Sequence, residues 1–219
     1  MKIIELHKSV TESNDRDAEK LRNELKERGT FLINVMSSPG AGKTTLLSRI
    51  ITDLKNALRI AVMEADIDAS VDAEKIEALG ARSIQLHTDG MCHMDAGMTR
   101  QGIEAMGIEE IDLAFLENVG NLICPAEFDT GASKNLMILS VPEGDDKPLK
   151  YPLMFETSDA LVVSKTDALP YFDFDMEKLR ERVRRLNPKI EIFPVSAKTG
   201  EGMEALEAWL VKETKEWKN

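Results

Sequence analysis

The chain of 219 residues carries only two cysteines, Cys92 and Cys124, and three histidines. Two thiols are too few for the disulfide framework of a small secreted domain, and both are expected as free, reduced side chains. Basic residues are also in short supply. Lys and Arg number 28 against 39 Asp and Glu, a formal net charge of −11. That balance argues against non-specific binding to nucleic acid or to an anionic membrane, which both call for a positive face. No apolar run approaches the roughly 20 residues of a membrane span. The N-terminus, MKIIELHKSVTESNDRD, lacks the apolar core of a signal peptide. These absences predict a cytoplasmic protein with no nucleic-acid or membrane partner. The length fits a single domain over 1–219 with a full core.

The stretch FLINVMSSPGAGKTT, Phe31 to Thr45, organises the rest. Six mostly apolar, β-prone residues run into Ser37-Ser38-Pro39-Gly40-Ala41-Gly42-Lys43-Thr44, and a helical pattern follows with Leu46, Leu47, Ile50, Ile51 and Leu54. Strand, tight loop and helix start are the setting of a phosphate-binding loop. Gly40 and Gly42 let backbone N–H groups turn into one concavity, and the positive end of the new helix faces the bound anion. Pro39, Gly40, Ala41, Gly42, Lys43, Thr44 and Thr45 are therefore the candidate nucleotide-binding residues. Lys43 is placed to reach the outer phosphates and the Thr44 hydroxyl to bind Mg²⁺. Ser37 stands where the pattern GxxxxGK expects its first glycine, and a Cβ there narrows the allowed backbone angles.

Along the chain, Thr11 to Arg28 reads as a charged helix with Ala18, Leu21 and Leu25 on one face, an N-terminal appendage (1–29) or a dimer element. Strands are expected at Phe31–Met36, Arg59–Ala65, Arg82–Leu86, Ile111–Glu117, Leu136–Val141, Asp159–Ser164 and Ile190–Val195. Helices are expected after the phosphate loop and at Val71–Leu79, Met94–Met106, Met176–Leu186 and Met203–Lys215. Such alternation predicts a P-loop NTPase of the α/β class, with a mostly parallel sheet of about seven strands and helices on both faces. In a parallel sheet the loops after the strands share one edge, where ligands bind. Every motif below falls in such a loop.

Ser164-Lys165-Thr166-Asp167 resembles the guanine-reading NKxD of GTPases. The Asp carboxylate accepts from N1–H and the amino group of guanine, a donor pair that adenine lacks. Lys165 and Asp167 are present. Ser164 replaces the Asn that braces the phosphate loop, which predicts a weaker brace. Ser196-Ala197-Lys198 resembles the element whose backbone meets guanine O6. Together they favour GTP and GDP over adenine nucleotides. Glu117-Asn118-Val119-Gly120 stands where GTPases carry DxxG, so Glu117 can hold Mg²⁺ and Gly120 can sense the terminal phosphate. Asp66 and Asp72 are the chosen Mg²⁺ carboxylates of the first switch region, with Asp72 also catalytic beside Lys43, Thr44 and Glu117. Asp68 is left to solvent. Asn121, not Gln, follows Gly120. No water-positioning residue of the fast GTPases is identified, and slow turnover is expected.

Cys92, His93 and Cys124 follow strands on the ligand edge. A lone Cys usually serves as a small buried hydrophobe. Thiolate and imidazole are also ligands for Zn²⁺, Ni²⁺ or copper. Three donors are one short of a closed tetrahedral site, and a two-fold dimer sharing cysteines would complete it.

The stretches GMCHMDA, FLENVGNLICPAEFD and EGDDKPLKYP resemble the HypB family, the nickel-incorporation GTPases of nickel–iron hydrogenase maturation. The likeness runs from about Glu19 to the last helix. It implies a dimerising GTPase, related to the urease nickel chaperone, that binds Ni²⁺ or Zn²⁺ through Cys92, His93 and Cys124. It also implies a small zinc-containing partner of the HypA type and, as client, the hydrogenase large-subunit precursor. The chain has no Cys-rich N-terminal motif and no His-rich tail, so the high-affinity binding and nickel storage of some members are not carried over. A urease-type chaperone and a non-catalytic metal-binding scaffold are the alternatives. Lys147 and Lys150 are candidates to act across a dimer interface.

Overall fold

A computed structural model describes residues 6–65 and 75–219, with side chains from residue 11 onward. Asp66, Asp68, Asp72 and the start of the helix expected from Val71 lie outside the described residues. The elements in chain order are α1 (Leu6–Arg28), β1 (Phe31–Ser37), α2 (Lys43–Leu54), β2 (Ile60–Glu64), β3 (Arg82–Gln85), α3 (Ala96–Met106) and β4 (Leu113–Glu117). They continue with β5 (Lys134–Ser140), the short helices α4 (Lys147–Lys150) and α5 (Pro152–Glu156), β6 (Ala160–Ser164), α6 (Met176–Leu186), β7 (Glu191–Pro194) and α7 (Met203–Lys218). One seven-stranded sheet results, in the order β3-β2-β4-β1-β5-β6-β7. Every pairing is parallel. Among the described residues, no helix is long and apolar enough to cross a membrane.

β1 is buried along its whole length and sits at the centre of the sheet. Its alternation divides the core. Phe31, Ile33 and Val35 pack on one face with Leu46, Leu47, Ile50 and Ile51 of α2 and Leu206 and Leu210 of α7. On the opposite face Leu32 joins Ile103 of α3, and Met36 joins Met154, Phe155, Leu179 and Val183 of α5 and α6. Helices therefore cover both faces. The helix expected as an appendage buries Ala18, Leu21 and Leu25. Leu21 and Leu25 enter the same apolar cluster as Leu32 and Ile103. Arg22 of α1 also donates to both carboxylate oxygens of Asp129, at 2.6 and 2.8 Å.

Strand ends differ from the sequence-based expectation by one or two residues. α3 starts at Ala96 rather than Met94 because the Asp95 side chain caps it, accepting from Met98 N at 2.8 Å. That cap frees Cys92, His93 and Met94 to form a loop.

The edge opposite the site is held by Asp112. Its carboxylate accepts from the Arg59 backbone N (2.8 Å), from Arg59 Nε (3.0 Å) and Nη2 (2.9 Å), and from Lys218 Nζ. Its backbone oxygen accepts from Phe31 N at 3.0 Å, the first residue of β1. The Arg59 hydrogen bonds, joined by Lys218, hold its carboxyl far below the usual carboxylate range. A folded-state pKa depressed in this way stabilises the fold above the unfolded value, near 3.8, and that stability is lost as pH falls through the folded pKa. Asp112→Asn is expected to cost about 2 kcal/mol at neutral pH. Urea unfolding should show a lower midpoint and a smaller loss of stability below pH 4 than in the wild type. Equal midpoints would remove Asp112 from this role.

Candidate functional site

The phosphate loop opens where β1 ends. Ser37 remains extended in the strand and is absent from the residues with positive φ. Its Cβ therefore costs nothing here. The Ser37 hydroxyl accepts from Lys43 Nζ at 3.2 Å and donates to the Ser38 carbonyl at 2.8 Å. Gly40 (φ 75°) and Gly42 (φ 98°) take the left-handed angles that the loop requires. Gly42 offers no side chain to cap α2, so this helix start presents backbone donors of the kind that bind anions. Lys43 is buried, with Nζ 4.0 Å from Glu117 Oε1. Thr44 is half-buried, and Thr45 and Pro39 are exposed. The Ser38 hydroxyl donates to Glu143, whose other oxygen accepts from Ser140 N and Oγ, both at 2.8 Å. Lys147 pairs with Glu143 at 4.0 Å and Lys150 with Asp146 at 2.6 Å, so both lysines are engaged within their own chain.

The ends of β6 and β7 meet beside this loop. Ser164 Oγ donates to the Ala41 carbonyl at 2.7 Å. Ser164 thus braces the loop through one hydroxyl hydrogen bond. Lys165, at φ 61°, donates from Nζ to the Gly40 carbonyl at 2.6 Å. Its stem passes so near Gly42 that a Cβ there would lie 3.6 Å from Lys165 Cε. Asp167 Oδ1 accepts from Ser196 Oγ at 2.7 Å. Ser196 is buried, Ala197 half-buried and Lys198 exposed. The two guanine-type motifs are therefore in contact on the edge that holds the phosphate loop.

The thiols lie further along that edge. Cys92 is exposed and Cys124 half-buried, and neither is in a disulfide. Their proximity, with Cys92 as hydrogen-bond partner, and partial burial raise the Cys124 pKa above its ordinary value. Asn121 Nδ2 donates to Cys124 Sγ at 3.6 Å. His93 is buried and stacks on Phe128, with ring centroids 3.8 Å apart and planes at 14°. Burial lowers its pKa, which favours the neutral imidazole that metals bind. Its Nδ1 is 3.7 Å from Cys92 Sγ. Sulfur and nitrogen ligands of one tetrahedral ion stand about 3.5 Å apart, given metal–ligand bonds near 2.3 and 2.05 Å. The donor set and this spacing fit a thiophilic ion. Among the described residues, no three or more His, Cys, Asp or Glu side chains already surround a common point. Cys92, His93 and Cys124 are neighbours rather than a closed cage. His87 is exposed.

Sequence reasoning named Gly120 for the terminal phosphate but missed its packing and the residues Asn118, Asn34 and Asn14 that fix these loops. Gly120 packs on the phosphate loop: a Cβ there would lie 3.0 Å from Pro39 Cγ and 3.2 Å from Pro39 N. Asn118 is buried, and its Oδ1 accepts from Met94 N (3.1 Å) and from Val119 N (2.9 Å). Its Nδ2 donates to Asn34 Oδ1 at 2.9 Å, and Asn34 Nδ2 donates to Asn135 Oδ1 at 3.0 Å. Asn34 was visible as a polar residue inside an apolar strand, but its partners lie more than 80 positions away. Asn14 of α1 spans both thiol loops, accepting from Ala96 N at 3.0 Å and donating to the Asp129 carbonyl at 2.8 Å.

Ser164→Ala removes one neutral hydrogen bond to the phosphate loop, worth ~1 kcal/mol, or about fivefold in affinity. Fluorescent guanine-nucleotide binding should weaken by that factor while the unfolding midpoint changes little. Unchanged affinity would deny Ser164 its bracing role.

Comparison with known proteins places this geometry in a family. Residues 31–194 match the model of the CobW/HypB/UreG nucleotide-binding domain. The hydrogenase maturation factor HypB of Rhizobium leguminosarum bv. viciae is 46% identical over 209 residues, which cover 95% of this chain and 70% of that one. The crystal structure of HypB from Archaeoglobus fulgidus superposes with a TM-score of 0.87 at 35% identity, over 92% of this chain and 98% of that one. HypB from Helicobacter pylori, crystallised in complex with nickel, superposes with the same TM-score at 36% identity, over 93% and 96%. The phosphate loop, the seven-stranded parallel sheet and these likenesses assign the chain to the HypB hydrogenase maturation factors of the CobW/HypB/UreG family.

Proposed function

We propose that this P-loop NTPase is a GTPase that carries nickel or zinc at its thiols and delivers nickel to the precursor of the nickel–iron hydrogenase large subunit in the cytoplasm. The observation that carries the reading is the loop leaving β4. It lays Gly120 against Pro39 of the phosphate loop and, four residues later, presents Cys124 beside Cys92. One segment thus touches both the nucleotide edge and the thiols.

Within this reading Asp167 accepts from guanine, held by the Ser196 hydroxyl, while Lys165 supports the base and Ala197 and Lys198 border it. Lys43 neutralises the outer phosphates. Thr44 and Glu117 would hold Mg²⁺, with Asp66 and Asp72 of the first switch region as further candidate ligands. Mg²⁺ supplies charge neutralisation at the transferred phosphoryl group. The hard oxygen donor of Glu117, 4.0 Å from Lys43, suits that ion. Asn121 faces away from this task, because its side chain engages Cys124 Sγ and the Ile123 backbone N. Slow turnover by a single chain follows. The exposed Met91 and Ile123 beside the thiols support a GTP- and metal-dependent homodimer in which a second chain completes the coordination. A small zinc-containing protein of the HypA type is the proposed accessory partner. The name and nickel complex of the Helicobacter relative support the choice of metal.

Asp167→Asn inverts one hydrogen bond and is expected to shift preference from GTP to xanthosine triphosphate. Competition binding reads the shift, and equal affinity of the wild type for GTP and ATP would sink the guanine assignment. Lys43→Ala should lower turnover by at least about 100-fold, the scale of one preorganised electrostatic group, in a protein with unchanged circular dichroism. Full turnover by that variant would contradict the assignment.

A further inference from the structure

Among the contacts of the site, the Asn118 carboxamide is not accounted for by nucleotide reading or by metal ligation. It is buried, its oxygen accepts two hydrogen bonds and its nitrogen donates one. Its oxygen is shared by two backbone donors from different loops. Val119 N, at 2.9 Å, belongs to the segment that ends at Gly120 against the phosphate loop. Met94 N, at 3.1 Å, follows His93 directly. The amide nitrogen of Asn118 is committed to Asn34, so the group cannot rotate to follow one donor without breaking that bond. Its own backbone N is held by the Val35 carbonyl at 3.0 Å. The oxygen is thus a fixed point that the nucleotide loop and the thiol loop share.

We infer that Asn118 is a positioning residue that transmits the state of the nucleotide to the Cys92–His93 loop, an inference that rests on the nucleotide and metal reading above. A terminal phosphate at the loop of Gly40 and Gly42 attracts the Gly120 N–H and turns the peptide that carries Val119 N. The change in the Val119 bond alters the hold of the Asn118 oxygen on Met94 N. The His93 ring moves relative to Cys92 because the peptide next to it is freed or fixed. No side chain need cross from one site to the other. The chain continues through Asn34 to Asn135 and on to the Thr157 carbonyl at 3.0 Å, so Asn118 is anchored from the far side of β1.

Two measurements test this. Amide hydrogen exchange at Met94 is read in the metal-free wild type with GDP and with a non-hydrolysable GTP analogue. The relay predicts protection that differs at least tenfold between the two, and equal protection overturns it without any variant. Ni²⁺ titration is then run in both nucleotide states on the wild type, Asn118→Ala and Asn135→Ala. The wild type should show nucleotide-dependent affinity, within the 5–150-fold range of coupled sites. Asn118→Ala should bring the ratio of affinities to within twofold of one. Asn135→Ala, which breaks the same ladder but leaves the Met94 bond in place, should keep most of the ratio. Equal losses in both variants would make the ladder a structural element and overturn the relay. A wild-type ratio retained in Asn118→Ala overturns the relay alone. A wild type with no ratio overturns the coupled reading and the relay with it. An Asn118→Ala protein that fails to fold leaves the exchange measurement to decide.

Discussion

The arrangement depends on one close approach, that of Gly120 to Pro39. A Cβ at position 120 would lie 3.2 Å from the Pro39 backbone nitrogen, a separation at which either the phosphate loop or the β4 loop must yield. Glycine lets the two backbones touch. Movement of the β4 loop towards the phosphate loop therefore presses on it, and the reverse holds equally. Protein interiors resist gradual deformation and move between discrete arrangements. A contact of this kind, flanked by the buried Glu117 and Asn118, is suited to two positions rather than a continuum. Ser164, Lys165 and Glu143 hold the other side of the phosphate loop through Ala41, Gly40 and Ser38.

What the sequence made readable follows from the range of each interaction. β1 and the loop after it are local: six β-prone residues, two glycines and a helix pattern lie within 24 positions. The parallel sheet follows from the alternation of strands and helices, and the shared edge follows from the parallel sheet. A helix limit slipped by two residues where a side chain outcompeted the periodicity, as the Asp95 cap did at α3. Pairs distant in sequence could not be read. The Ser38 bond to Glu143 spans 105 positions and that of Arg22 to Asp129 spans 107. Each element looked self-sufficient without such a partner, which is why α1 was expected outside the core that Leu21 and Leu25 help to build.

In the site itself, residue identity was easier to read than geometry. Ser164 drew attention as a departure from an Asn, yet its hydroxyl reaches the Ala41 carbonyl that the brace requires. Phe128 carried no motif and is nonetheless the surface on which the His93 ring rests. The ring is buried for that reason, and burial lowers its pKa. Asp66 and Asp72, the switch-region carboxylates, lie outside the described residues, so the Mg²⁺ set is argued from Glu117 and Thr44 alone.

In the proposed function nucleotide and metal act on one segment, and thermodynamic linkage makes that reciprocal. The most direct test is the affinity of the full protein for a non-hydrolysable GTP analogue and for GDP, each measured by calorimetry with and without saturating Ni²⁺. Nickel should change the ratio of the two affinities by at least fivefold. A ratio that nickel leaves unchanged would mean that the thiols and the phosphate loop share an edge of the sheet without sharing a mechanism.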